Sequence, residues 1–254
     1  MFLHHLRPEA NRGVGVAFTD RFDGPGSGPM GTLNLGRTDT DDPAVVAAGF
    51  RQVADALGVG HVAATRQTHG SAVHHVRAAF DWPPGAELGD SLPGGERLPE
   101  ADALVTDQPG VALCIRVADC VPVVLADAAA GVAAAAHAGR VGLAGGVLQA
   151  TIDAMHGLGA RRITAWIGPR ICGPCYEVPD AMAAEVAAAV PGVAARTREG
   201  TAGLDLGAGS AAVLVSAGVT VHDVGVCTRE TPSLYSHRRD GAAAGRLGAF
   251  VWMA

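Results

Sequence analysis

The 254-residue chain contains no lysine: all 19 of its cationic residues are arginine. A Schiff-base lysine and the lysine of a phosphate-binding loop are therefore excluded, and with them pyridoxal enzymes and ordinary phosphate-loop ATPases. Aromatic residues make up 4% and charged residues 17% of the chain, and the formal charge is -6. The arginines do not collect into a run, so the broad basic face that dominates nucleic-acid affinity is missing, and no nucleic-acid partner is expected. Cysteine is scarce and odd in number, five in all. That is no framework for a disulfide-stapled secreted domain and points to a reducing, cytoplasmic setting. Long apolar runs are also lacking, because Arg116, Asp119, Asp127 and His137 cut the longest ones, and Met1–Pro8 has no signal-peptide core. No membrane association is expected.

Hydrophobic residues make up 48% of the chain, enough for a sizeable core. No repeat of 20 to 50 residues appears, and residues 1–254 read as a single domain. Two glycine- and proline-rich segments, Asp23–Gly31 and Asp81–Pro99, read as surface loops. Asp41-Asp42-Pro43 followed by spaced apolar residues predicts a capped helix that stops at Gly58. Short apolar runs from Val111, Val121 and Val132 predict buried strands. Helical spacing follows over Leu143–Leu158, then a strand over Ile163–Ile167, a helix over Pro179–Val190 and a strand over Val219–Cys227. The sum is a mixed α and β chain.

Reactive residues sit at the ends of these runs. Cys120 lies at the junction of two predicted strands, His137 ends the next one before Ala138-Gly139, and His69-Gly70 suggests a tight bend. Two imidazoles and a thiolate would make a three-donor metal site with a fourth position open for water or substrate. The same Cys120 and His137 would also suit a nucleophile and base, with Asp119 or another carboxylate orienting the imidazole. Buried cysteine and core histidines are the bland alternative. Asp102, Asp107, Asp119 and Asp205 are candidates to orient ligands, or else turn and cap residues. Cys172-Gly173-Pro174-Cys175 has redox or half-zinc spacing, but no second pair accompanies it in sequence, which favours a structural turn. Cys114 and Cys227 fall within predicted strands and read as core. Arg238, Arg239 and Arg246 form a small cationic segment suited to an anion, or else a solvated charged turn.

Taken in order, Asn34-Leu35-Gly36, Gln67-Thr68-His69-Gly70, Ala101-Asp102-Ala103-Leu104-Val105-Thr106-Asp107, Ala118-Asp119-Cys120-Val121-Pro122, Ala136-His137-Ala138-Gly139, Ile167-Gly168-Pro169, Cys175-Tyr176-Glu177-Val178 and Tyr235-Ser236-His237-Arg238-Arg239-Asp240-Gly241 resemble one family. It is the YfiH-like family, also called the laccase-domain or polyphenol-oxidase family. The resemblance implies a single α+β domain with mixed β-sheets flanked by helices. It also implies a zinc-associated purine nucleoside phosphorylase that deaminates adenosine and cleaves methylthioadenosine, with His69, Cys120 and His137 as metal ligands and catalytic residues. Purine nucleosides and phosphate are the implied partners. Asn34, Gln67, Arg140, Arg238 and Arg239 are the substrate and phosphate candidates.

The family's older label implies copper, but several copper centres would require many paired histidines that this sequence lacks. Zinc is the metal the resemblance implies, with copper as the alternative. Amide hydrolysis that edits peptidoglycan precursors, and laccase-like polyphenol oxidation, are the alternative activities. Two departures stand out. Most relatives read His-Ala-Gly-Trp-Arg-Gly where this chain has His137-Ala138-Gly139-Arg140-Val141-Gly142, and an Asn-Arg pair appears here as Phe50-Arg51.

Overall fold

The structure, a computed structural model, describes residues 1–27, 31–36, 42–77 and 98–254. Of the two loops expected from sequence, 28–30 and 81–97 lie outside the described residues. Strands alternate in the two faces they bury, and this alternation builds four layers from two sheets. The first sheet runs β1 (Phe2–Leu6), β2 (Val14–Thr19), β13 (Leu247–Met253), β6 (Val111–Val117) and β3 (His61–Ala63). The second runs β12 (Thr220–Asp223), β9 (Thr164–Ile167), β7 (Val121–Asp127), β8 (Val132–Ala138), β5 (Ala103–Thr106) and β4 (Val73–His75). Both are mixed: inner pairs are antiparallel, while β3, β4 and β12 add parallel edges. A small ribbon joins β10 (Ala194–Arg196) to β11 (Ala202–Leu204).

Period-two burial explains why the strands read as continuous apolar runs. In β8, Ala133 and Ala135 pack between the sheets with Leu113, Ile115 and Val251, while Val132, Ala134 and Ala136 face the helices. Those helices are α3 (Val147–Gly157), α4 (Asp180–Ala189) and α5 (Leu206–Ser216), whose Leu148, Ile152, Val186 and Leu214 complete that core layer. On the far side, α1 (Pro43–Leu57) lays Val46, Phe50 and Val53 against Cys114, Phe250 and Trp252. Full burial of one such side chain stabilises the fold by about 1.5–3 kcal/mol. Phe50→Ala would weaken the packing of α1 by about 3–5 kcal/mol.

The helix α1 starts where the sequence places it: Asp42 caps it by accepting from the Ala44 amide (2.8 Å), and Gly58 ends it at φ +70°. The helix predicted over 143–158 is two helices, α2 (Arg140–Ala144) and α3, because Gly146 adopts φ +83° between them. The last predicted strand is shorter than its apolar pattern. β12 stops at Asp223, so Cys227 lies outside it and is half-buried rather than core.

Candidate active site and metal-binding cluster

Three strand ends converge at one edge of the second sheet. Pro122 of β7 lies opposite His137 of β8, and Ala103 of β5 lies opposite Ala136, so Cys120 and Asp102 both arrive beside His137. The His137 amide donates to the Asp102 carbonyl and its Nδ1 donates to Asp102 Oδ1, both at 2.7 Å. Its Nε2 is thereby left for the cluster. The same carboxylate shapes the 68–70 bend: the amides of Thr68, His69 and Gly70 donate to it at 3.1, 2.9 and 2.7 Å. His69 consequently sits at φ +62°, a conformation a non-glycine residue adopts only when its surroundings hold it there. One buried carboxylate orients both histidines.

His69 Nε2 lies 3.9 Å from Cys120 Sγ, the two imidazoles meet edge to face, and the three donor atoms all lie within 4.8 Å of one another. Gly139 makes this approach possible. A Cβ there would come within 2.9 Å of His69 Cδ2 and 3.2 Å of Cys120 Sγ. Asp119, at φ +86°, is held by Thr228 Oγ1, which donates to Oδ1, and by the Arg238 amide, which donates to Oδ2, each at 2.6 Å. It therefore fixes the turn that carries Cys120, whereas the carboxylate that orients His137 is Asp102. Asp205 caps α5, and Asp107 is an exposed turn residue bonded by Gln108.

The electrostatics follow from these contacts. Burial raises the Cys120 thiol, but hydrogen bonds from His137 and His69 outweigh it and bring the pKa down to about 6. Burial likewise lowers His137, while Asp102 and Cys120 outweigh it and raise the imidazole to about 9. Burial raises Asp102, yet His137 and the Gly70 and Thr68 amides bring it to about 2. In the metal-free protein a thiolate, an imidazolium and a carboxylate thus form a chain of alternating charge at neutral pH, and a metal would take the place of the His137 Nε2 proton. The thiolate and two imidazoles are also donors suited to a divalent metal, with the carboxylate fixing one of them from behind.

The cluster opens into a cavity of about 780 Å³ lined by Arg66, Gln67, Arg116, Tyr176, Arg238 and Arg246 together with the three donors. Of the sequence candidates for substrate, Gln67 and Arg238 line it. Arg238 stacks its guanidinium 5.1 Å from the Tyr176 ring centre. Asn34 and Arg239 do not line it. Asn34 Oδ1 accepts from the Gly36 and Arg246 amides, and the Arg239 guanidinium is committed to Asp240 and to the carbonyls of Thr228, Arg229, Thr231 and Leu234. Arg140 stands at the start of α2 beside the Tyr176 hydroxyl, outside the lining. Arg66, Arg116 and Tyr176 also line it, with no site role read from the sequence. Arg116 had a signal, as the one charge in the apolar run of β6, while Tyr176 arrives through a turn with no periodicity.

A family model described as multi-copper polyphenol oxidoreductase laccase matches residues 15–254. The chain belongs to this YfiH-like, laccase-domain family. A Streptomyces griseus protein named purine nucleoside phosphorylase is 44% identical over the full length of both chains. A Mycobacterium bovis protein of the same name is 45% identical, over 92% of this chain and 90% of its own. Among solved structures, the Bacillus licheniformis hypothetical protein YfiH superposes with a TM-score of 0.85 at 28% identity, covering 98% of this chain and 96% of its own. A Neisseria meningitidis family protein gives 0.81 at 33% identity, covering 99% and 98%. The α+β architecture with mixed sheets is thus that of the YfiH-like family.

The family's copper label meets a donor set of different chemistry. Among the described residues, two groups of three or more side chains could hold a metal: His69, Cys120 and His137, and Cys172, Cys175, Cys227 and Glu230. Together they offer two imidazoles, which does not fit several copper centres. The mixed thiolate and imidazole set fits a single borderline divalent ion. Among the described residues no helix is long and apolar enough to cross a membrane.

Proposed function

We propose that this chain is a cytosolic purine nucleoside phosphorylase whose active site is the cavity bearing His69, Cys120 and His137. The observation that carries the reading is that three arginines, Arg116, Arg238 and Arg246, share one cavity with the donor trio, beside Arg66, which is paired with Glu100. Its volume suits a nucleoside beside a phosphate, and the two relatives named for this activity match 100% and 92% of the chain.

Phosphorolysis joins a phosphate oxygen to the anomeric carbon of the ribose as the bond to the purine breaks. The site must hold an anion, offset positive charge developing on the sugar and supply a proton to the departing base. Arg238 and Arg246 reach the cavity from the C-terminal segment, and Arg116 from the end of β6, so phosphate has cationic partners on two sides. Tyr176, with Arg238 over its ring, gives the cavity an aromatic wall suited to a purine. His137, oriented by the Asp102 hydrogen bond, turns its Nε2 to the donor trio.

Zinc held by His69, Cys120 and His137 would supply activated water, the chemistry that adenosine deamination requires. Adenosine turnover with and without inorganic phosphate, with adenine, ribose-1-phosphate and inosine separated by chromatography, tests the proposal. Phosphate-dependent adenine and ribose-1-phosphate are expected, with inosine in either condition reporting the deaminase activity. Absence of all three from metal-replete protein would overturn it.

A second reading, a Cys-His amide hydrolase, is favoured by one feature: the Cys120, His137 and Asp102 side chains stand in the order of nucleophile, base and orienting carboxylate. It requires activity that survives chelation and is abolished by alkylation of Cys120.

A further inference from the structure

The turn read from sequence as a CxxC without a partner has one in space. Cys172 precedes a single 3-10 turn, Gly173–Cys175, that Cys175 ends, and the segment after β12 brings Cys227 and Glu230 against it. The three sulfurs and one carboxylate oxygen all lie within 4.8 Å of one another. Both contributing segments place their donors three residues apart, Cys172 with Cys175 and Cys227 with Glu230. We propose that these four side chains form a second, structural metal site for zinc, separate from the cluster in the cavity and touching none of the reacting groups there.

Four protein donors fill a tetrahedral ion completely, which is the pattern of a structural rather than a catalytic centre. The backbone is arranged for it: the Cys172 amide donates to Cys227 Sγ at 3.4 Å, and Glu230 Oε2 lies 3.9 Å from Cys172 Sγ while Arg198 holds its other oxygen. A disulfide explains the group less well, since three thiols leave one over and give Glu230 no role. Cys175 is buried and Cys172 and Cys227 are half-buried, so the sulfurs are shielded while the carboxylate meets solvent.

The position gives such an ion a task. Cys172 and Cys175 lie between Ile171 and Tyr176, both of which line the cavity, and Cys227 lies between Val226 and Thr228. Val226 accepts from the Arg170 amide, the Thr228 amide donates to the Arg170 carbonyl, and Thr228 Oγ1 holds Asp119. An ion bridging 172–175 to 227–230 would fasten the Tyr176 wall to the segment that fixes the Cys120 turn.

Zinc content per chain, measured by mass spectrometry on full-length protein with fold checked by circular dichroism, tests the site. Wild type is expected to hold two equivalents, Cys120→Ala one, Cys227→Ser one, and the double variant none. Stripping the remaining ion from Cys120→Ala should lower its melting temperature. Should Cys227→Ser fail to fold, cobalt-loaded Cys120→Ala should still show strong thiolate-to-cobalt absorption, because its thiolates come from Cys172, Cys175 and Cys227. A folded Cys120→Ala protein without zinc and without that absorption would overturn the proposal, as would mapping of Cys172 into a disulfide in protein purified without oxidant.

Discussion

His69, Cys120 and His137 converge at the ends of ordered strands, whereas Cys172, Cys175, Cys227 and Glu230 converge where two irregular segments touch. The first group has three donors, an organising buried carboxylate and a cavity in front of it. The second has four donors, a sulfur accepting a backbone amide and no place in the cavity lining. Donor count and what lies in front of the donors thus separate a centre that can meet a substrate from one that can only hold structure. The two are joined mechanically, since Asp119 accepts from Thr228 one residue beyond Cys227 and carries Cys120 one residue beyond itself.

The largest expected difference between the two regions is in turnover. Cys120→Ala removes a donor facing the cavity and should lower nucleoside turnover by about 10³-fold or more. Cys227→Ser should leave the chemistry in place and act chiefly on thermal stability. Equal losses in both variants, measured by steady-state kinetics on folded protein, would erase the distinction. Gly139→Ala comes next. The added methyl group would press on His69 and Cys120 and should cost about 10²-fold, the scale for displacing reacting groups by an ångström.

Asp102→Asn retains the size of the carboxylate but removes the charged acceptor that orients His137 from behind, and a loss of about 10–100-fold in metal affinity or activity is expected. Retention of both within twofold would show that Asp102 serves the 68–70 bend alone. The pH dependence of thiol labelling sharpens the comparison further. In chelator-treated protein, alkylation at Cys120 should rise with pH through a midpoint of about 6, because the thiolate is the reactive form and His137 and His69 favour it. Added zinc should suppress that labelling, and a midpoint near the ordinary thiol value would contradict the charge chain.

Asp127, at the opposite end of β7, provides the control for effects on the fold alone. Its carboxylate accepts from the amides of Ala129, Ala130, Arg161 and Arg162 at 2.7–3.2 Å. Burial raises its pKa, and those hydrogen bonds outweigh it and leave the value below the ordinary carboxylate range. The stabilisation is therefore complete above the unfolded-state pKa of about 3.9 and is lost as pH falls through the folded value. Asp127→Asn should cost about 1–3 kcal/mol in thermal unfolding at neutral pH, with the gap to wild type closing in acid and turnover unchanged.

Much of the strand region was legible because buried strands leave continuous apolar runs, and residues that interrupt them stand out. Cys120 and His137 are visible for that reason, and His69 because a glycine follows it. The order of motifs carried the family and the α+β architecture. What could not be read was pairing across long separations. The 35-residue distance from Asp102 to His137 has no local pattern, so Asp119 seemed an equally good orienting carboxylate. Cys227 looked like core because Val219–Cys227 alternates in hydrophobicity, and alternation cannot say where hydrogen bonding to β9 ends. Arg239 and Arg238 are adjacent in sequence and identical in kind, and only the folded turn shows that one grips carbonyls while the other faces the cavity.

The most direct test is phosphate-dependent release of adenine from adenosine by wild type, Cys120→Ala and Cys227→Ser, each shown to be folded. Loss in Cys120→Ala with retention in wild type and Cys227→Ser is the expected result. Undiminished phosphorolysis by folded, metal-free Cys120→Ala would contradict the assignment of the cavity cluster as the active site.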